Sequence, residues 1–123
     1  MKLTTALRNT IVTDIITAAG TDPKLKYYNG TESLTPAGTL LATLTVSGAL
    51  GTASNGVIDF NETVTQTNTS HVDGTPTFIL VTTSADAAVC TLAIGTDATF
   101  AGTVATGVDI SINTGATITA GNA

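Results

Sequence analysis

From Lys24 onward the apolar side chains of this chain recur at every second position, in short runs punctuated by glycine, asparagine and aspartate. A period of two places alternate side chains on opposite sides of an extended backbone, so these runs read as strands. The spacing predicts strands over 24–28, 40–46, 57–60 (continuing over 63–66 after a turn), 77–82, 88–94 and 108–112, a short one at 103–104 and a last one over 116–119. In 40–46, Leu40, Ala42, Leu44 and Val46 are expected to face inward, and Leu41, Thr43 and Thr45 outward. The run 77–82 is apolar at nearly every position, which marks the central, most buried strand. Ser84-Ala85-Asp86 then turns the chain so that 88–94 pairs back antiparallel. Asn29-Gly30, Asn55-Gly56 and Asp73-Gly74 are turn signals, and 48–56 reads as a flexible connector. Roughly seven to nine short strands at intervals of about 8–12 residues are the pattern of an antiparallel β-sandwich or a small jelly-roll-like barrel.

The opening segment has a different period. Leu3, Leu7, Ile11 and Ile15 recur every fourth residue, and Val12, Ile16 and Ala19 widen the stripe, which predicts one amphipathic helix over 4–19. Thr4 or Thr5 caps its start. Gly20 stands where a left-handed C-terminal cap belongs, and Pro23 follows. Lys2, Arg8, Asn9, Thr13 and Thr17 form the opposite, polar face. The expected organisation is one domain over 1–123, with an N-terminal arm and helix at 1–22 and a β-sandwich at 23–120.

Composition limits the core such a sandwich can have. Aromatics are 4% of the chain and Trp is absent. Each large aromatic buries about 150–250 Å², so an interior built from Ala, Val, Leu and Ile is thin. Charged residues make up only 11% of the chain, against about 25% in ordinary soluble domains. Thr accounts for 28 of the 123 residues. A surface of hydroxyls with little Lys or Glu loses less side-chain entropy and ion hydration when covered. A thin interior inside such a surface points to a protein packed against neighbours.

The net charge is −5, and all four cations, Lys2, Arg8, Lys24 and Lys26, lie in the first 26 positions. The rest of the chain has no basic stripe to neutralise phosphates, so no nucleic-acid partner is expected. No apolar run approaches the roughly 18 residues that span a bilayer, and the N-terminus lacks a secretory pattern, so no membrane partner is expected either. Cys90, the single cysteine, sits in an apolar alternating run and reads as a small core hydrophobe.

Residue types that carry chemistry are sparse. The single histidine, His71, lies near Ser70 and Asp73, but neighbours on one loop seldom converge as a triad, and an exposed loop histidine is the expectation. One His and one Cys cannot supply a zinc site. Asp59 and Glu62 are separated by a turn across which they could approach each other, but the denser oxygen cluster that calcium requires is missing. Two Tyr and three Phe leave a sugar platform poorly supplied. The reading is therefore of a non-enzyme with no catalytic residues, no metal and no cofactor. Tyr27 and Tyr28 point to opposite faces of their strand, one into the core and one outward. The outward one, with the Leu3–Leu7–Ile11–Ile15 stripe, is a candidate contact for an oligomer or partner. The predicted contact residues are thus Leu3, Leu7, Ile11, Ile15 and Tyr28.

Several stretches carry a resemblance. Leu7-Arg8-Asn9-Thr10 leads through Asp14-Ile15-Ile16 to Lys24-Leu25-Lys26-Tyr27-Tyr28-Asn29-Gly30-Thr31, then Gly38-Thr39-Leu40-Leu41-Ala42-Thr43-Leu44. Gly74-Thr75-Pro76-Thr77-Phe78 and the closing Ile118-Thr119-Ala120-Gly121 follow in the same style. Together they resemble a family of small tailed-bacteriophage virion proteins with an N-terminal helix, a K-L-x-x-Y-x-G strand and turn, and a G-x-L-L-A-x-L strand. The resemblance implies a structural protein synthesised in the host cytoplasm and resident on the virion. Its first expectation is a capsid decoration (cement) protein, a homo-oligomer and commonly a trimer, that bridges major capsid protein subunits. A tail- or fibre-associated protein, receptor- or glycan-binding, is the alternative. The family supplies no catalytic residues to carry over.

Overall fold

The chain enters its helix at Thr4, whose hydroxyl accepts a hydrogen bond from the Leu7 N–H at 3.2 Å. This satisfies one of the amide donors that a helix start leaves without a partner. In the computed structural model, which describes residues 1–61, 65–66, 71–97, 104–105, 110–111 and 117–119, helix α1 runs Thr5–Ala19. Gly20 ends it with φ 71°, donating its N–H to the Ile16 carbonyl. The strands are β1 (Lys24–Tyr28), β2 (Leu40–Thr45), β3 (Gly51–Ser54), β4 (Val57–Phe60), β5 (Thr65–Gln66), β6 (Phe78–Thr82), β7 (Ala88–Ala93), β8 (Ile110–Ser111) and β9 (Thr117–Thr119).

All of their pairings are antiparallel. Four strands form one sheet in the order β2-β1-β6-β7, three form another in the order β3-β4-β9, and β5 pairs with β8. The fold is mainly β, with antiparallel sheets and one leading helix, as the two periods predict.

One apolar cluster joins these parts. Leu25 and Tyr27 of β1, Ala42 and Leu44 of β2, Ile79 and Val81 of β6 and Leu92 of β7 enter it from the larger sheet. Ile58 and Phe60 of β4 enter from the smaller sheet, and Val12 and Ala19 from the helix. Tyr27 is the only tyrosine in the cluster; burial withdraws its phenol from water and pushes its pKa up to about 12. All five residues of β6 are buried, so it has no solvent face, and it lies between β1 and β7 as expected of the central strand.

Three expectations need correction. The stretch 48–56 is not a free connector, because its second half is β3, which pairs with β4 through a two-residue turn at Asn55-Gly56. Both turn residues have positive φ, 52° and 79°, which matches the twist a tight hairpin demands. In β2, Leu41 is buried and Leu40 exposed, the reverse of strict alternation. A β-bulge explains the reversal: Tyr27 opposes Ala42 and Tyr28 opposes Leu40, so Leu41 is the extra residue and the phase slips by one. Thr65–Gln66 does not extend β4 but pairs with β8. Thr63 and Val64 lie outside the described residues, and of the strand expected at 103–104 the described part is a single bridge from Val104 to Gly74.

Gly56 meets a second constraint. A Cβ at this position would stand 2.7 Å from the Arg8 Cβ, whereas one at Gly48 (φ 85°) would meet nothing. Gly48→Ala is expected to cost only the left-handed penalty, about 1–2 kcal/mol. Gly56→Ala is expected to cost more, because the helix must also move off the hairpin. Urea unfolding of the two variants checks the order.

Candidate functional site

A stripe with a spacing of four drifts by about 40° per step around a helix of 3.6 residues per turn. The predicted line Leu3–Leu7–Ile11–Ile15 therefore winds across α1 instead of staying on one side. Its far end reaches the interior, where Ile15 and Ile16 are half-buried against the core beside buried Val12 and Ala19. Leu3 is half-buried, while Leu7 and Ile11 turn outward, 47% and 37% exposed. The stripe is thus shared, half of it spent on this chain's own core and half presented to the outside.

The helix is held in that orientation from its other side. The Arg8 guanidinium donates to the Asn55 carbonyl (3.3 Å), and the Gly56 N–H donates to the Asn9 side-chain oxygen (3.5 Å). Arg8 and Asn9, expected on a free polar face, instead grip the tip of the β3–β4 hairpin. The same contact accounts for the need for glycine at position 56.

Tyr28 does not join the helix residues. The helix packs against β3, β4 and β7, whereas Tyr28 lies on the face of β1 opposite the buried Leu25 and Tyr27. There it is half-buried and stacks on Phe78, with ring centroids 5.6 Å apart and planes 11° from parallel. Leu40 stands directly across the strand pair from it and is 37% exposed. The loop from Asn29 to Thr39 begins beside it and presents Leu34, 55% exposed. That loop is closed at its neck: the Asn29 N–H donates to the Thr39 carbonyl, and the Asn29 side-chain oxygen accepts from the Thr39 N–H at 2.7 Å. Leu34 and Leu40 escaped sequence reasoning because Leu34 lies in a non-periodic loop and Leu40 is turned outward by the bulge.

Two of the four cations share this sheet face. Lys24 and Lys26, two apart on β1, both reach the same oxygen of Asp86, at 2.9 and 2.8 Å. Asp86 sits in the β6–β7 turn with φ 69°, so the pair of contacts ties that turn across β6 to β1. Hydrogen bonds from Lys26 and then Lys24 hold the Asp86 carboxyl well below its ordinary range, at about 2.

The other candidate groups stay apart or differ from expectation. Cys90 is half-buried against the core, and burial pushes its thiol up to about 11, which suppresses the thiolate. His71 is buried, not exposed as a polar loop would have it. The segment around it is drawn along the edge of β2 by the Val72 N–H donating to the Leu41 carbonyl. Ser70 and Glu62 lie outside the described residues, so the Ser70–His71–Asp73 and Asp59–Glu62 groupings do too. Among the described residues no three His, Cys, Asp or Glu side chains gather where they could hold a metal ion. No helix among the described residues is long and apolar enough to cross a membrane. A shallow recess of about 240 Å³ is lined by Ala49, Gly51, Thr52, Asp59, Phe60 and Asn61. The Phe60 residue is 4% exposed, so its ring offers little face for a sugar to stack on.

No family model, curated protein or solved structure matches the chain.

The Asp86 contacts give a pH dependence with a definite sign. The folded carboxyl titrates near 2, below its ordinary 3.8, so between these values the unfolded chain takes up protons first. The stability Asp86 contributes is therefore complete above about pH 4 to 5 and lost as pH falls through about 2. Asp86→Asn is expected to lower stability slightly at neutral pH and to flatten that acid limb, with the two proteins converging at the acid end. Thermal melts across pH read the difference, which is expected to shrink in high salt because the group is exposed.

Proposed function

We propose that this chain is a structural component of a tailed-phage particle: a decoration protein that associates with itself, as a trimer, and bridges major capsid subunits without a chemical step. The observation that carries the reading is the helix. Its inner side is spent on the core and its polar side on a hairpin, while Leu7 and Ile11 are held outward with no freedom to fold away. Covering each of those side chains is worth roughly 1 kcal/mol, since each is already more than half covered. Such a contact is weak singly and strong when repeated over a shell. The sparsely charged, Thr-rich surface lowers the cost of desolvating what surrounds it.

Replacing both exposed residues (Leu7→Glu with Ile11→Glu) tests this directly. The double variant is expected to keep the wild-type melting temperature within a few degrees, because neither side chain lies in the core. It is expected to lose retention on purified particles. Retention equal to wild type removes the reading. Quantitative mass spectrometry of virions separates the two particle locations: hundreds of copies fit the capsid, and a handful fits the tail.

A further inference from the structure

Among the described residues the four-stranded sheet ends at β7, an uncharged strand of sequence Ala88-Val89-Cys90-Thr91-Leu92-Ala93. An uncharged edge of this kind, without Lys or Pro, invites another extended chain to add to it. Which of its backbone groups point outward follows from the register. The Ile94 N–H donates to the Thr77 carbonyl, so Ile94 bonds toward β6. Counting back in twos, Leu92 and Cys90 also bond toward β6, opposite Ile79 and Val81. Ala93 and Thr91 therefore present their N–H and C=O groups to the outside.

At Ala93 both outward groups are already taken, each by Asp97, and the carbonyl accepts the Thr96 N–H as well, at 3.3 Å. The Ala93 N–H donates to the Asp97 carboxylate at 2.9 Å. The Ala93 carbonyl accepts the Asp97 N–H at 2.8 Å. Asp97 thus makes the two-way exchange that the opposing residue of a neighbouring strand would make, with a carboxylate in place of a carbonyl. At the other end the register shifts between Val81 and Thr82, so β7 carries an extra residue there and its edge is no longer regular. Between the two devices, Thr91 keeps an outward pair of groups that meets no partner strand among the described residues.

We propose that Asp97 is an edge gatekeeper: by standing in for a partner strand at Ala93, it keeps β7 from pairing with a strand of another copy of this chain. The capped Ala93 and the bulge leave one regular outward residue between them, too little to hold a partner strand. The negative charge adds repulsion to any second β7 edge, which carries the same carboxylate.

The test compares the full wild-type chain with Asp97→Ala, Asp97→Asn and the double variant Asp97→Ala with Thr91→Pro. Sedimentation velocity and thioflavin fluorescence follow association over a concentration series. Asp97→Ala is expected to form larger, thioflavin-positive species at several-fold lower concentration than wild type. Asp97→Asn, which keeps an oxygen for the Ala93 N–H but loses the charge, is expected to fall between wild type and Asp97→Ala. Thr91→Pro removes the remaining outward N–H and is expected to reverse the effect of Asp97→Ala. Asp97→Ala associating no more than wild type, or association that Thr91→Pro leaves unchanged, overturns the proposal. Amide exchange on the wild-type chain gives an answer that does not depend on any variant folding: Ala93 is expected to be protected and Thr91 to exchange fast. Fast exchange at Ala93 also overturns it.

Discussion

β6 has no solvent face, and the rest of the fold is arranged to give it that status. Its inward side chains, Ile79 and Val81, meet the cluster shared by the two sheets and the helix. Its other side chains, Phe78, Leu80 and Thr82, are buried as well, and Tyr28 of β1 stacks on Phe78. Lys24 and Lys26 follow the same face of β1, opposite Thr82 and Leu80 of β6, and their ammonium groups reach Asp86. A chain with so few aromatics concentrates its burial on one strand.

The helix solves a related problem. A sandwich of Ala, Val, Leu and Ile leaves open sides, and Val12 and Ala19 fill one of them between β7 and the β3–β4 hairpin. The contact from Arg8 and Asn9 to Asn55 and Gly56 fixes the rotation of the helix about its axis. Fixing that rotation decides which apolar residues remain outside. The outward position of Leu7 and Ile11 therefore follows from internal packing, and the cost of exposing them is borne by the free chain.

Much of this was legible in the sequence, for physical reasons. The change of period at Pro23 separated helix from strands, and the doubly apolar run around Ile79 marked the central strand. Where alternation failed, a local backbone event had intervened: one extra residue at Leu41 exchanged the faces of Leu40 and Leu41. β3 was hidden because Gly51-Thr52-Ala53-Ser54 has no apolar alternation, and it is a strand because the Asn55-Gly56 turn delivers it to β4. Of the candidate contact residues, the helix set does not stay on one side of α1: Ile15 lies against the core, and Leu7 and Ile11 face outward. The split between Ile15 inside and Leu7 outside depends on how the helix is rotated by Asn55, a residue 47 positions from Arg8. Tyr28 was separated from the helix by topology, which periodicity does not encode.

We propose that a neighbouring subunit, laid on the outward half of the helix stripe, adds the burial that the thin core lacks. Thermal unfolding of the purified wild-type chain over a wide concentration range, with the mass measured at each point, tests it most directly. Association that stabilises the folded state makes the melting temperature rise with concentration. The account predicts that rise, accompanied by growth from monomer to a small closed oligomer. A monomer of unchanging mass whose melting temperature is high and independent of concentration contradicts it.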